Sequence, residues 1–254
     1  MRPRVLLPAL ALAATVLAGC SSSGADRQPG DPVTREDAGA LAELLHRNVT
    51  HGGAAFVVTA PYGDDVVLTL TGEVDFRART GHARAVTSFG DARPDDTRTI
   101  DFTDEDLWVS DVPGLPEAIA AAGLPGGAYL HRPLTGGEEG ATPPLLDALI
   151  EVLLNLSSPT ADEPTSFLGA GYTWEGQRSI DSRLTSLFGL ADGRTVAVAA
   201  SDDLLTQYVT PLADGAIDVT VTLSDHAPRT LAMPAPEQTV KGAEHPDLAT
   251  TFGL

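Results

Sequence analysis

Apolar and polar residues alternate without a break over residues 66–78. Leu68, Leu70, Gly72, Val74, Phe76 and Ala78 fall on one side, and Thr69, Thr71, Glu73, Asp75 and Arg77 on the other. A period of two marks a strand buried on one face and wet on the other. Residues 56–60 precede it across Pro61-Tyr62-Gly63-Asp64, a turn-rich link that predicts a hairpin. Near the other end, Ile217, Val219, Val221 and Leu223 alternate against Asp218, Thr220, Thr222 and Ser224. Shorter runs predict strands at 83–89, 97–102, 107–110, 128–132, 171–175, 195–200 and 230–233. No regular βαβ spacing links them, so the pattern predicts an α+β fold: an antiparallel sheet with added helices.

Helical spacing occurs first at 34–48, where Ala38, Leu41, Leu44 and Leu45 form one apolar stripe. Thr34 and Asp37 have capping-box spacing, with Asp in place of the usual Glu. The segment 143–156 also predicts a helix, capped by Thr142 with Pro143 in the first helical position. Its polar residues are Asp147, Glu151 and Asn155, spaced i, i+4, i+8, and the rest of its surface is apolar. Such a helix is either central and buried on several sides, or the wall or lid of an apolar cavity. Residues 116–122 (PEAIAAA), stopped by Gly123, predict a second short apolar helix able to flank the same opening.

The amino terminus has a different pattern. Arg2 and Arg4 precede a stretch, 5–18, that is apolar apart from Thr15, about the length of a secretory h-region and too short to span a bilayer comfortably. It ends in Leu17-Ala18-Gly19-Cys20, a small-residue cleavage pattern with cysteine first in the mature chain. Cys20 is the sole cysteine, so this thiol reads as the site of diacylglyceryl attachment, and the chain as an exported lipoprotein with no disulfide. Residues 21–33 (SSSGADRQPGDPV) are polar and aperiodic and read as a flexible tether. The expected organisation is a signal peptide at 1–19, a lipidated cysteine and tether at 20–33, and one domain at 34–254, held at the outer face of the cell membrane.

Composition narrows the partners. The chain carries 16 basic and 35 acidic residues; without residues 1–19 the balance is 14 to 35, a net charge of −21. That body repels nucleic acid and anionic headgroups, so nucleic-acid binding is excluded and the lipid anchor must supply membrane attachment. A single lysine, Lys241, amid abundant Ala, Gly, Arg, Asp and Val points to a high-GC actinobacterial source. Aromatic residues make up only 5%, so the core must be mainly aliphatic.

Catalytic patterns are not found. The chain has no Gly-x-Ser-x-Gly elbow, no Ser-x-x-Lys, no His-Glu-x-x-His and no Walker loop. His46 and His51 are poorly spaced for a metal, and Asp101, Asp104, Glu105 and Asp106 lack the glycine and distal glutamate of a calcium loop, reading instead as a charged turn. Asn48-Val49-Thr50 and Asn155-Leu156-Ser157 match glycosylation sequons, which the lipoprotein leader makes irrelevant. No enzyme activity, metal or cofactor is expected.

A helix leads into FVVTAPYGDDVVLTLTGEVDF, then DFTDEDLWVS, a Leu-rich helix, FLGAGYTWEG and a closing IDVTVTLSDHAPRTLAMPAP. This order, across residues 38–239, resembles the LppX/LprA/LprF/LprG lipoproteins of actinobacteria, relatives of the LolA and LolB carriers. The resemblance implies a curved antiparallel half-barrel wrapped over helices, enclosing an apolar cavity for lipid or lipidated glycan. Under it, Leu68, Leu70, Val74, Phe76, Ile119, Leu145, Leu149, Leu153, Val219 and Val221 are expected to line the cavity, and the chain to act as a carrier or chaperone in the cell envelope. The rival reading is an anchored interaction or sensor module with the same sheet packed solid. An envelope hydrolase, needing a buried Ser-His-acid cluster, is a third. A contiguous apolar cavity above about 300 Å³ separates carrier from module.

Overall fold

The computed structural model describes residues 27–124, 126–135, 143–169, 171–190, 192–212 and 215–253. The leader, Cys20 and Thr142 lie outside them. In chain order the first half runs β1 (Asp31–Pro32), α1 (Arg35–His51), β2 (Gly53–Gly63), β3 (Val66–Asp75), β4 (Thr80–Phe89), β5 (Asp96–Phe102), β6 (Asp106–Ser110), α2 (Leu115–Ala121) and β7 (Tyr129–Pro133). The second half adds α3 (Leu145–Leu154), β8 (Thr173–Ile180), β9 (Arg183–Gly189), β10 (Thr195–Ala199), β11 (Leu205–Leu212), β12 (Ile217–Ser224), β13 (Thr239–Lys241) and α4 (Pro246–Thr251).

The strands form one curved, unclosed sheet in the order β1-β8-β9-β10-β11-β12-β2-β3-β4-β5-β6-β7-β13. Two meanders, β8 to β12 and β2 to β7, are joined where β12 lies antiparallel to β2. All pairs are antiparallel except the last, β13 on β7. The fold is α+β, as the periodicity predicts.

The longest hairpin, β2 with β3, keeps register from Gly53↔Asp75 to Gly63↔Val66. Leu68, Leu70 and Val74 turn inward and are buried. Gly72 sits in that inward row for a steric reason: a Cβ there would come within 2.0 Å of the His82 carbonyl oxygen and 2.7 Å of Ala83 Cα on β4. At Gly81 the ring of Phe102, its partner on β5, occupies the space a Cβ would need. The strand ends at Asp75, earlier than alternation alone suggests. Asp75 Oδ1 accepts hydrogen bonds from the N–H groups of Arg77 (2.9 Å) and Ala78 (3.0 Å), turning the chain there.

Helix α1 begins as its capping box requires. Asp37 N–H donates to Thr34 Oγ1 (3.2 Å) and Thr34 N–H donates to Asp37 Oδ2 (2.7 Å). Burial alone would raise the Asp37 pKa; the hydrogen bonds from Arg27 and Thr34 outweigh it and hold the carboxyl below its usual range. Arg27 belongs to the stretch expected to be a free tether, and this corrects that expectation. From Arg27 onward the chain is fixed to the body: Arg27 pairs with Asp37 at 2.7 Å and stacks 4.9 Å above the Trp174 ring. Asp31 and Pro32 pair with Trp174 and Thr173, and Val33 is buried. The composition signalled a loop, but a guanidinium over an indole and a short edge pairing offset the ordering entropy.

Helix α3 starts two residues later than expected, at Leu145, with Pro144 as its cap and no side-chain cap bond. Leu149, Ile150, Leu153 and Leu154 are wholly buried, in one core cluster with Phe56, Val58, Ile100 and Phe102 of the sheet and Leu41 and Leu44 of α1. Asp147, expected on a polar stripe, is buried too. Arg132 grips it with two hydrogen bonds of 2.7 and 2.5 Å, and the Thr135 N–H adds one of 2.8 Å. A buried carboxylate persists only with such partners. Buried Asn48 donates from Nδ2 to the Leu156 carbonyl (2.6 Å), tying α1 to the end of α3, so this sequon is a structural contact.

The expected strand at 230–233 is not formed. Pro228, Pro234 and Pro236 supply no backbone donors, and Arg229 pins the segment to Glu73 at 3.1 Å. The tail beyond it contributes β13 and α4.

Candidate functional site

Between the helices and the β9–β11 part of the sheet lies a cavity of about 600 Å³. One wall is α1, through Leu41, Leu44 and Leu45; a second is α3, through Ala148, Glu151, Val152 and Asn155. Leu190, Arg194, Val196, Leu205, Tyr208, Thr210 and Leu212 form the sheet side, and Pro143, Leu156, Asp162, Phe167 and Tyr172 close the ends. Most of this surface is aliphatic or aromatic.

Each wall has a local cause. On α1, the 3.6-residue period sends Leu41 and Leu44 inward together. On β11, Tyr208, Thr210 and Leu212 share a face by alternation. Leu205 joins them because the register slips between Ala197 and Val198 of β10, which face Gln207 and Leu205. The bulge places an odd and an even residue on one side. Phe167 and Tyr172, both in the lining, meet edge to face at 5.0 Å between centroids and brace the loop between α3 and β8.

The ten expected lining residues are elsewhere. Leu68, Leu70, Val74, Phe76, Ile119, Leu149, Leu153, Val219 and Val221 are buried in the packed core, and Leu145 packs against it half-buried. None lines the cavity. Inward alternation found the core, and the open space is displaced toward β9–β11. Helix α3 fills both roles considered for it, with Leu149 and Leu153 in the core and Ala148 and Val152 on the cavity side. The true lining on β11 was missed because Thr206 and Thr210 interrupt its apolar alternation. Both are buried, and the Thr206 hydroxyl donates to the Ala197 carbonyl at 3.0 Å. Tyr208, with Val209 and Leu212 around it, was the available signal.

Polar groups gather at the edge. Arg194 Nε donates to Asp192 Oδ2 at 2.7 Å. Burial would lower the Arg194 pKa, but hydrogen bonds with Tyr208 and Asp192 keep it raised. The Arg194 backbone N–H and guanidinium hold Asp192 below the usual carboxylate range. Burial pushes the Tyr172 phenol above its ordinary range. The site therefore offers apolar walls with hydrogen-bonding groups at one border, an arrangement suited to binding.

The acidic cluster is dispersed among partners. Asp101 meets His82 and Asp106 meets His131, both at 2.7 Å, while Asp104 pairs with Arg79. Among the described residues no group of His, Cys, Asp and Glu is placed to hold a metal, and no serine hydroxyl is bonded to a histidine. A second, polar cavity of about 450 Å³ lies at the ends of β9 and β12, lined in part by Arg183, Asp202 and His226.

No family model and no curated protein sequence matches the chain. Among solved structures, the chain is similar to an uncharacterized conserved protein from Thermus thermophilus over 81% of this chain and 98% of that one, with 10% identity and a TM-score of 0.38. It is similar to a LolA superfamily protein from Nitrosomonas europaea over 79% and 96%, with 11% identity and a TM-score of 0.26.

Proposed function

We propose that this chain binds an acyl chain or comparable apolar ligand in the cavity between α1, α3 and β9–β11, and carries it at the cell-envelope surface while tethered through Cys20. The observation that carries this reading is the open space itself. At about 600 Å³ it lies within the 300–1,000 Å³ range of ligand sites, and its walls are mainly leucine, valine and aromatic side chains. Empty apolar volume is costly, because its lining forgoes dispersion contacts. A bound chain restores those contacts and leaves water, at about 25 cal/mol per Å² of apolar area.

The anchor complements the cavity. The Leu17-Ala18-Gly19-Cys20 pattern would hold the body at the membrane, and the chain meets the body at Arg27, close in sequence to Val33, whose backbone N–H donates to the carbonyl of Tyr172 in the cavity wall. A carrier needs such proximity to a lipid source and needs no catalytic group. A module built only for protein contacts would have no use for a cavity of this size.

The test is mass spectrometry under native conditions on protein purified from its host without added lipid. A mass adduct released as lipid on activation, and absent from a Val152→Trp variant, is expected. Apo protein in every preparation, together with failure to take up added monoacylglycerol, would count against carriage.

A further inference from the structure

We propose that the cavity sorts its ligands by headgroup charge, accepting chains that end in an uncharged, hydroxyl-bearing headgroup and refusing those that carry a phosphate. The inference rests on the cavity being a ligand site. Exposure separates floor from rim: Leu41, Leu44, Leu156 and Leu205 are buried, whereas Glu151, Asn155 and Asp162 are exposed. An acyl chain thus fills the floor, and its headgroup meets the rim.

The rim is electrostatically one-sided. Among the described residues, neither the Glu151 nor the Asp162 carboxylate has an ion-pair or hydrogen-bond partner, so both keep a free charge. Arg194 is the single basic residue in the lining, and its charge is already met by Asp192 at 2.7 Å and by Tyr208. A phosphate arriving here would have to share Arg194 with Asp192 and stand before two further carboxylates. The net charge of −19 adds repulsion of the same sign at longer range.

Hydrogen-bond chemistry points the same way. Ionised carboxylates only accept, so the complementary headgroup must donate, as glyceryl or glycosyl hydroxyls do. The Asn155 amide and the Tyr172 phenol can donate to the same hydroxyl oxygens or accept from them. A hydroxyl-bearing headgroup satisfies this set without moving Arg194.

Two probes isolate the charge: monopalmitoylglycerol and 1-palmitoyl lysophosphatidate share the acyl chain and glycerol and differ by one phosphate. Equilibrium binding of each, radiolabelled, is measured to the delipidated full chain at low and high salt. Monopalmitoylglycerol should bind roughly tenfold more tightly at low salt, with the gap closing to about threefold or less as salt screens the rim. The exposed pair Glu151→Gln and Asp162→Asn, which keeps an acceptor oxygen at each position and removes both charges, should tighten lysophosphatidate binding by roughly tenfold and bring the two lipids' affinities to within about threefold of each other. Equal binding by the parent, tighter lysophosphatidate, or an unresponsive double variant overturns charge sorting while leaving the cavity reading intact. Binding of neither lipid overturns the cavity reading, and charge sorting falls with it.

Discussion

Tryptophan substitutions on opposite faces of α3 should have opposite consequences. Leu149 and Leu153 are completely buried in the core cluster shared with the sheet and α1, whereas Ala148 and Val152 border a space of about 600 Å³. An indole at 149 or 153 has no room, and overpacking of this kind costs about 1–3 kcal/mol or more. For a domain of this size each kcal/mol moves the melting temperature by about 2–4 °C, so a loss of about 2–12 °C is expected for Leu149→Trp and Leu153→Trp. At 152 the ring enters open volume and gains apolar contacts, so Val152→Trp should stay within about 1 kcal/mol of the parent, a shift under about 4 °C. Calorimetry gives the stability, and binding of a labelled monoacylglycerol gives the function. Val152→Trp should keep the fold and lose the lipid; Leu149→Trp should lose stability first. If Val152→Trp is as destabilising as Leu149→Trp, or if Leu149→Trp is tolerated, the division of α3 into a core face and a cavity face is wrong.

Three other substitutions probe separate parts of the account. Asp147→Ala leaves Arg132 half-buried and unpaired and should cost about 3–5 kcal/mol by denaturant titration, while the joint change Asp147→Leu with Arg132→Met should recover most of it. Burial, followed by Arg183 and His51, depresses His226 to about 4 from an ordinary 6.5. The unfolded chain thus takes up a proton that the folded one refuses, so this contribution is complete above pH 6.5 and fades as pH falls toward 4. His226→Leu should flatten that acid slope, by about 1–2 kcal/mol at pH 4 because the ring keeps some water contact, and an unchanged slope would rule the ring out as its source. Cys20→Ala should release the protein from the membrane fraction or leave it as uncleaved precursor, and a processed, membrane-bound alanine variant would refute the anchor.

The elements whose pattern is dictated by one wet and one dry face were readable from the chain. β3 and β12 alternate because each presents a single face to the core, and α1 announces its start through Thr34 and Asp37. What could not be read follows from interactions between distant segments. Asp147 looked solvated because its partner, Arg132, is fifteen residues away on β7. Residues 27–33 looked free because Trp174, which captures Arg27, lies 147 residues further along the chain. Alternation also marks which residues point inward but not whether the inward space is filled, so Leu70 and Val221 were as eligible for a cavity wall as Val196. The filled and open regions differ by where α1 and α3 come to rest on the sheet, a property of tertiary packing.

The position of the bound chain tests the central claim most directly. A monoacylglycerol bearing a diazirine along its acyl chain, bound to the full chain and photolysed, inserts into whatever it touches, and peptide mapping locates the adducts. Labelling should fall on Leu41, Leu44 and Leu45, on Ala148 and Val152, and on Val196, Leu205, Tyr208 and Leu212. Labelling confined to Leu68, Leu70 and Val74, or scattered over the exposed surface with the cavity residues untouched, would contradict it.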